Sequence, residues 1–322
     1  MSELLLTVIR NRVIGKHVDN PVGISEPEVD DPVTRLVAEI HRRHGDSVAA
    51  IVVYGSYLRG KRDTLLDFYV LLENFSNMPK RWHAYSARIL APNVYNIRVG
   101  AFPNQARAKY AALSLEQFER AMQRQFHSYF WARFAQPCGI VFAKNEDAEQ
   151  RVIHALSSAV RTFFRRVAPL MEGSFTSSEF WEAGLLQTYR CELRAESTQQ
   201  ADKLAKANSD YFKTLTQAVV RAHGSEYGLS EISENCYSTN STLKEREAAI
   251  KSWGLRRLQG KFISVCRLLK AATTFENSLE YLLWKIERHS GIYIQPSARQ
   301  LKYPLIFAWP LLWRLYRLGA FK

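Results

Sequence analysis

The order of apolar and polar positions in the first 145 residues predicts a small sheet with helices around it. Continuous apolar, β-branched runs such as VAAIVVY predict buried strands, and apolar residues that recur every three or four positions predict helices. The predicted strands are 48–54, 65–73, 93–102, a short one near 109–113, and 138–143. The predicted helices begin near 33, 79 and 115, and the first of them ends at Gly45.

Helical spacing dominates the rest of the chain. Helices are predicted at 146–171, 178–197, 200–223, 243–271 and 274–289. The sequence therefore predicts an α+β protein with a mixed-sheet domain at 1–145, a helical domain at 146–295 and a separate C-terminal segment at 296–322. Four scattered cysteines without a CxxC pair indicate reduced thiols.

The charge is distributed unevenly. The net charge is +13, and residues 251–322 contain 13 basic residues against three acidic ones. Such a cluster favours an anionic partner, which is either a nucleic acid or an anionic membrane surface.

The C-terminal sequence YPLIFAWPLLWRLYRLGAFK (303–322) favours the membrane. It is apolar and aromatic, but Pro304, Pro310, Arg314 and Arg317 interrupt it, so it is poorly suited to cross a bilayer. We expect the segment to lie in the headgroup layer as an amphipathic anchor, with docking on the protein's own core as the alternative. No nucleic-acid partner is expected, because the basic residues lie far in sequence from the motif described next. These features predict a cytoplasmic protein that is peripheral on the inner face of the membrane.

The strongest chemical motif is a Gly-Ser turn between two buried strands, in VVYGSYLRGKRDTLLDFYVLL. Gly55 permits a tight turn whose N–H groups approach phosphates, and Ser56 adds a hydroxyl. Asp67 lies inside the next apolar strand, where an unpaired carboxylate is costly. This combination predicts a divalent-metal site for nucleotidyl transfer, and a solvated or Arg-paired Asp67 is the alternative.

The motif departs from the polymerase-β-like signature, which has a second acid two residues after the first. Tyr69 occupies that position. Glu73 has the same strand parity as Asp67 and is the predicted second metal ligand, although it lies about 20 Å along a straight strand at ~3.3 Å per residue.

A longer comparison identifies a family that shares this departure. The run from Tyr54 to Tyr95 resembles the mitochondrial-type phosphatidate cytidylyltransferases, the translocator assembly and maintenance family, in its Tyr-Gly-Ser turn, its Leu-Asp-Phe strand and its Trp82-His83-x-Tyr85-Ser86 stretch. Lys109-Tyr110 and the YFWARFAQP segment (129–137) are similar to further family segments, and 189–194 and 257–261 are more weakly similar.

The resemblance implies a nucleotidyltransferase fold and the reaction CTP + phosphatidate → CDP-diacylglycerol + pyrophosphate, with Mg²⁺. The roles it implies are nucleotide binding by Gly55, Ser56, Tyr57 and Arg59, catalysis by Asp67, Lys109 and Arg133, metal binding by Asp67 and Glu73, and lipid-phosphate binding by Arg190 and Lys261. Another lipid phosphate such as ceramide phosphate, a non-lipid acceptor, or a protein that has lost activity stays open, as does the oligomeric state.

Overall fold

The computed structural model describes residues 3–13, 31–59, 65–100, 105–192 and 197–274, together with residues 295–297, 299, 300, 310, 313, 314 and 317. Within these residues the protein is α+β, with a five-stranded mixed sheet in the first half of the chain and a three-stranded sheet in the second half. No helix in the described part of the chain is long and apolar enough to cross a membrane.

The five-stranded sheet has the order β3-β4-β2-β1-β5. Its strands are β1 (Val48–Tyr54), β2 (Leu66–Leu72), β3 (Asn93–Val99), β4 (Ala106–Ser114) and β5 (Cys138–Ala143). The β2–β4 pair is parallel, and the other neighbours are antiparallel. All five strands lie where the apolar runs predict them, within a few residues at their ends.

Helices cover both faces of this sheet, which explains why β1 is apolar along nearly its whole length. One face packs against α2 (Pro32–His44) through Leu36 and Ile40. The other face belongs to the larger core, which is shared with α1 (Glu3–Val13), α4 (Leu115–Gln123), α5 (Trp131–Phe134) and α6 (Glu146–Val167). The remaining helix of this half, α3 (Arg81–Ile89), connects β2 to β3.

Among the residues that the structure describes, the second half adds four α-helices, which are α7 (Ser177–Arg190), α8 (Ser197–Ala207), α9 (Ser209–Tyr227) and α10 (Leu243–Thr274). It is not entirely helical as predicted, because β6 (Ser174–Thr176), β7 (Leu229–Ser233) and β8 (Cys236–Thr239) form a sheet in the order β6-β8-β7. These strands are three to five residues long, and four of the five residues of β7 are exposed, so no apolar period marks them.

Two further differences concern helix boundaries. The helix predicted at 200–223 is two helices that meet at Asn208, and α1 has no counterpart in the predicted elements. The predicted helix at 274–289 and most of the predicted membrane segment lie outside the described residues. In that segment Trp313 is exposed, and the Arg317 guanidinium lies 5.0 Å from its ring centroid.

Candidate functional site

The Gly-Ser turn lies where β1 leaves the sheet. Gly55 has φ +93°, a conformation that side chains with a Cβ rarely adopt. A Cβ added to this glycine would lie 3.8 Å from Asp67 Oδ2, so the backbone of the turn passes directly beside the carboxylate. The Gly55 turn and the Asp67 carboxylate are therefore adjacent, as the motif predicts.

Strand register brings the first charged residues together. Tyr54 pairs with Asp67 across β1 and β2, and Asp67 pairs with Lys109 across β2 and β4. Paired residues in neighbouring strands project from the same face of a sheet. The Lys109 ammonium lies 3.8 Å from Asp67 Oδ1, and each side chain keeps about a third or more of its surface exposed. The ion pair is therefore open to a ligand.

Tyr69 lies two residues along β2, on the same face as Asp67. Its side chain is buried, and its hydroxyl accepts a 2.7 Å hydrogen bond from Arg133 Nη1. Burial raises the pKa of Tyr69 well above its ordinary value, against the opposing charge of Arg133, so the hydroxyl stays protonated at neutral pH. Where a second acid would lie, this chain therefore has a neutral tyrosine whose hydroxyl binds the guanidinium of Arg133.

Arg133 is fixed from several directions. Arg133 is a residue of α5. Its guanidinium lies 4.6 Å from the Tyr129 ring centroid and 5.3 Å from that of Tyr54. Its Nη2 lies 3.9 Å from Glu192 Oε1, just beyond the end of α7. Aromatic faces and a tyrosine hydroxyl orient this cation, and the Glu192 carboxylate forms a longer ion pair with it.

These groups line one cavity of about 500 Å³. The strand ends form one wall, and the far wall comes from the end of α7 and from the residues around the α8–α9 junction. The polar and aromatic lining residues include Tyr54, Asp67, Tyr69, Lys109, Tyr129, Arg133, Gln136, Thr188, Tyr189, Glu192 and Asn208. A volume of this size is within the range that holds a nucleotide-sized ligand.

Glu73 does not join this site. It follows the far end of β2, where its carboxylate forms a 2.9 Å ion pair with Lys144. Its backbone N–H donates to Ser47 O, which holds it at that end of the strand. Six residues of extended chain separate Asp67 from Glu73 and keep the two carboxylates far apart. The structure therefore gives no support to Glu73 as a metal ligand.

The other predicted binding residues divide between the cavity and the surface. Gly55 lines the cavity, but Tyr57 packs against the core on the α2 side, and its neighbour Leu58 lines the cavity instead. Arg190 and Lys261 are exposed and do not line the cavity. The side chains of Ser56 and Arg59 lie outside what the structure describes.

The far wall of the cavity contains residues that the sequence did not single out. Tyr189 and Glu192 lie three positions apart at the end of α7, so both face the cavity while Arg190 between them faces solvent. The segment 189–194 is part of the weak resemblance, but the residue predicted from it to bind the lipid phosphate, Arg190, is not among the lining residues.

The described residues contain no group of three or more His, Cys, Asp or Glu side chains arranged to hold a metal ion. No protein-family model matches the chain, and no curated protein matches it in sequence.

Proposed function

We propose that this protein is a metal-dependent nucleotidyltransferase of the polymerase-β-like type that transfers CMP from CTP to a lipid phosphate, with phosphatidate as the first candidate acceptor. The observation that carries the proposal is the juxtaposition of Asp67, Lys109 and the Gly55 turn at the strand ends of one cavity. The resemblance to phosphatidate cytidylyltransferases supplies the choice of nucleotide and acceptor.

The reaction needs charge compensation more than a strong base. An oxygen of the lipid phosphate, already anionic near neutral pH, forms a bond to the α-phosphorus of CTP, and the bond to the β-phosphate oxygen breaks to release pyrophosphate. Lys109 and Arg133 are the cations that line the cavity. They oppose the negative charge of the reacting phosphates, while the Gly55 turn lets backbone N–H groups approach the triphosphate.

Asp67 offers Mg²⁺ a single carboxylate ligand at the strand ends of the cavity. Mg²⁺ is commonly held by one or two carboxylates together with substrate phosphates, and Asp67 is a partly exposed carboxylate beside the proposed triphosphate position. The cation supplies Lewis-acid charge neutralisation when it is bound. Arg133, fixed by Tyr69, puts a positive group near the position that an acid occupies in the general signature.

The charge of the chain supports an acceptor at a membrane. Residues 251–322 contain 13 basic residues against three acidic ones. Such a region is drawn to anionic lipid, which increases the time that the protein spends beside lipid phosphates. Ceramide phosphate, another phosphorylated lipid or a non-lipid acceptor are the alternatives that the acceptor assay must separate.

The test is transfer of labelled CMP to phosphatidate in vesicles with Mg²⁺, with ATP, GTP and UTP as competitors. We expect a CDP-lipid product that Asp67→Asn abolishes. Glu73→Gln is the matched control, because it removes a carboxylate from the same strand outside the cavity, and it should keep near-normal turnover. Absence of product with every phosphorylated lipid would refute lipid transfer, and an active Asp67→Asn variant would remove Asp67 from the site.

A further inference from the structure

The outer face of α3 is unusually apolar for a surface. Trp82, Tyr85 and Ile89 have i, i+3, i+7 spacing and lie on one side of the helix, with 40%, 67% and 67% of their surface exposed. His83 and Ala87 are the buried residues on the opposite side. Scattered exposed apolar residues are normal, but three that line one side of the same helix mark an interaction surface.

A basic groove of about 260 Å³ lies beside this row. Arg88 from α3 and Arg120 and Arg124 from α4 line it, and Ala91 and Phe130 are among its other lining residues. The guanidinium groups of Arg88 and Arg124 form no ion pair or hydrogen bond with other residues that the structure describes. Their charges are therefore not consumed by contacts within the described protein.

Acidic residues are scarce around the groove. The segment from Pro79 to Pro92 contains no acid, and Lys80 and Arg81 add two exposed basic residues at the start of α3. Glu116 forms an ion pair with Arg120, and the Glu119 carboxylate is bound by Arg151. The surface as a whole is positively charged.

We infer that this surface, which we call the α3–α4 face (Trp82, Tyr85, Arg88, Ile89, Arg120 and Arg124), docks on an anionic lipid bilayer. Tryptophan and tyrosine favour the level of the lipid headgroups, isoleucine favours the acyl boundary, and arginines bind lipid phosphates. The combination of an aliphatic residue, exposed aromatic rings and two arginines without an acidic partner among the described residues, Arg88 and Arg124, matches a bilayer surface in both polarity and charge.

The α3–α4 face lies close to the main cavity. The Arg267 guanidinium lies 3.9 Å from the ring centroid of Tyr129, which lines the cavity, and Arg267 Nε donates a 3.0 Å hydrogen bond to Ala91 O, which lines the groove. One layer of side chains therefore separates the two. A docked face would place the cavity near the headgroups, but the docking itself does not depend on the proposed chemistry.

A local probe tests this inference in the full chain. Tyr85→Cys labelled with nitrobenzoxadiazole should shift to the blue and brighten on vesicles that contain phosphatidylglycerol, and stay unchanged on phosphatidylcholine alone. Ile232→Cys is the matched control, because Ile232 is an exposed apolar residue on β7. The labelled parent chain corrects for Cys236 and Cys266, the two partly exposed native thiols.

Charge removal is the second measurement. Arg88→Gln with Arg124→Gln should weaken binding to the anionic vesicles about 30-fold, at roughly fivefold for each basic residue at the surface. Arg98→Gln with Arg107→Gln removes two exposed charges from β3 and β4 and should change binding far less. An unresponsive probe at position 85 on vesicles that bind the protein would overturn the inference. A response to single-stranded RNA instead of vesicles, or equal losses in the two double variants, would also overturn it.

Discussion

Replacing Tyr69 by phenylalanine tests whether the Tyr69 hydroxyl positions Arg133 at the site where the general signature has a second acid. The change keeps the ring and deletes the hydroxyl that accepts from Arg133 Nη1 at 2.7 Å. Tyr69 is 1% exposed, so water cannot easily take the place of the lost acceptor. The other described neighbours of the guanidinium include the Tyr54 and Tyr129 rings and Glu192 at 3.9 Å.

The magnitude follows from the type of hydrogen bond. A hydrogen bond to a charged group contributes about 1.5–3 kcal/mol, and a buried donor left without its acceptor incurs a desolvation cost of similar size. We expect Tyr69→Phe to lower the free energy of unfolding by this amount, which corresponds to a fall in Tm of roughly 2–4 °C for a chain of this size. If Arg133 must hold its orientation to oppose phosphate charge, kcat/KM should fall roughly 10- to 100-fold.

The assay combines urea unfolding with CMP transfer at saturating and limiting CTP. Tyr110→Phe is the control, because it also removes a buried tyrosine hydroxyl, but one that lies 3.1 Å from His44 Nε2 in the core on the α2 side of the sheet. A Tyr69→Phe protein with normal stability and normal turnover would refute the view that this hydroxyl positions the guanidinium. Equal effects from the two variants would show that the site responds to any lost hydroxyl.

Three other changes have clear expected outcomes. Gly55→Ala forces a Cβ into a positive-φ turn, so it should cost about 1–2 kcal/mol in urea unfolding and weaken CTP binding in calorimetry. Gly184→Ala places a Cβ 2.3 Å from Phe163 Cζ between α6 and α7, and overpacking should lower the unfolding free energy by about 1–3 kcal/mol without changing CTP affinity. Burial lowers the pKa of His44 to about 4 from 6.5, so between these values the unfolded chain binds a proton that the folded chain does not. His44 should therefore contribute a fall in stability of on the order of 3 kcal/mol as the pH drops through this window, in addition to the fall from His127, whose pKa burial lowers to about 3. A His44→Gln variant with the same pH dependence as the parent would contradict the assignment.

The sequence predicted the large sheet well because its central strands β1 and β2 are buried on both faces and the others are largely apolar. Runs such as 48–54 and 138–143 have few polar residues, and that pattern needs no knowledge of distant contacts. The small sheet was not predicted for the opposite reason, because most residues of Leu229–Ser233 are exposed and show no alternation of apolar and polar positions. The break at Asn208 was missed because residues on both sides of it favour helices equally well.

The candidate site was predictable on its strand side and, through the family resemblance, at Arg133. Asp67 and Gly55 belong to one local motif, whereas Glu192 reaches the cavity from just beyond the end of α7, more than 100 residues later. The ion pair between Glu73 and Lys144 joins positions 71 residues apart, and neither local sequence predicts it. Contacts of this range depend on the packing of whole elements, which hydrophobic periodicity does not specify.

The contact between Asp67 and Lys109 depends on the register of the parallel pairing between β2 and β4. The two lie opposite each other because the strands are aligned from Leu66 with Ala108 to Leu72 with Ser114. Adding or deleting one residue inside β4 would turn Lys109 to the other side of the sheet and bring Tyr110 or Ala108 beside the carboxylate. Insertions in the loop before α3 leave that alignment intact. Length changes should therefore be tolerated in the connections of this domain and strongly selected against within its two central strands, even at positions whose side chains touch no ligand.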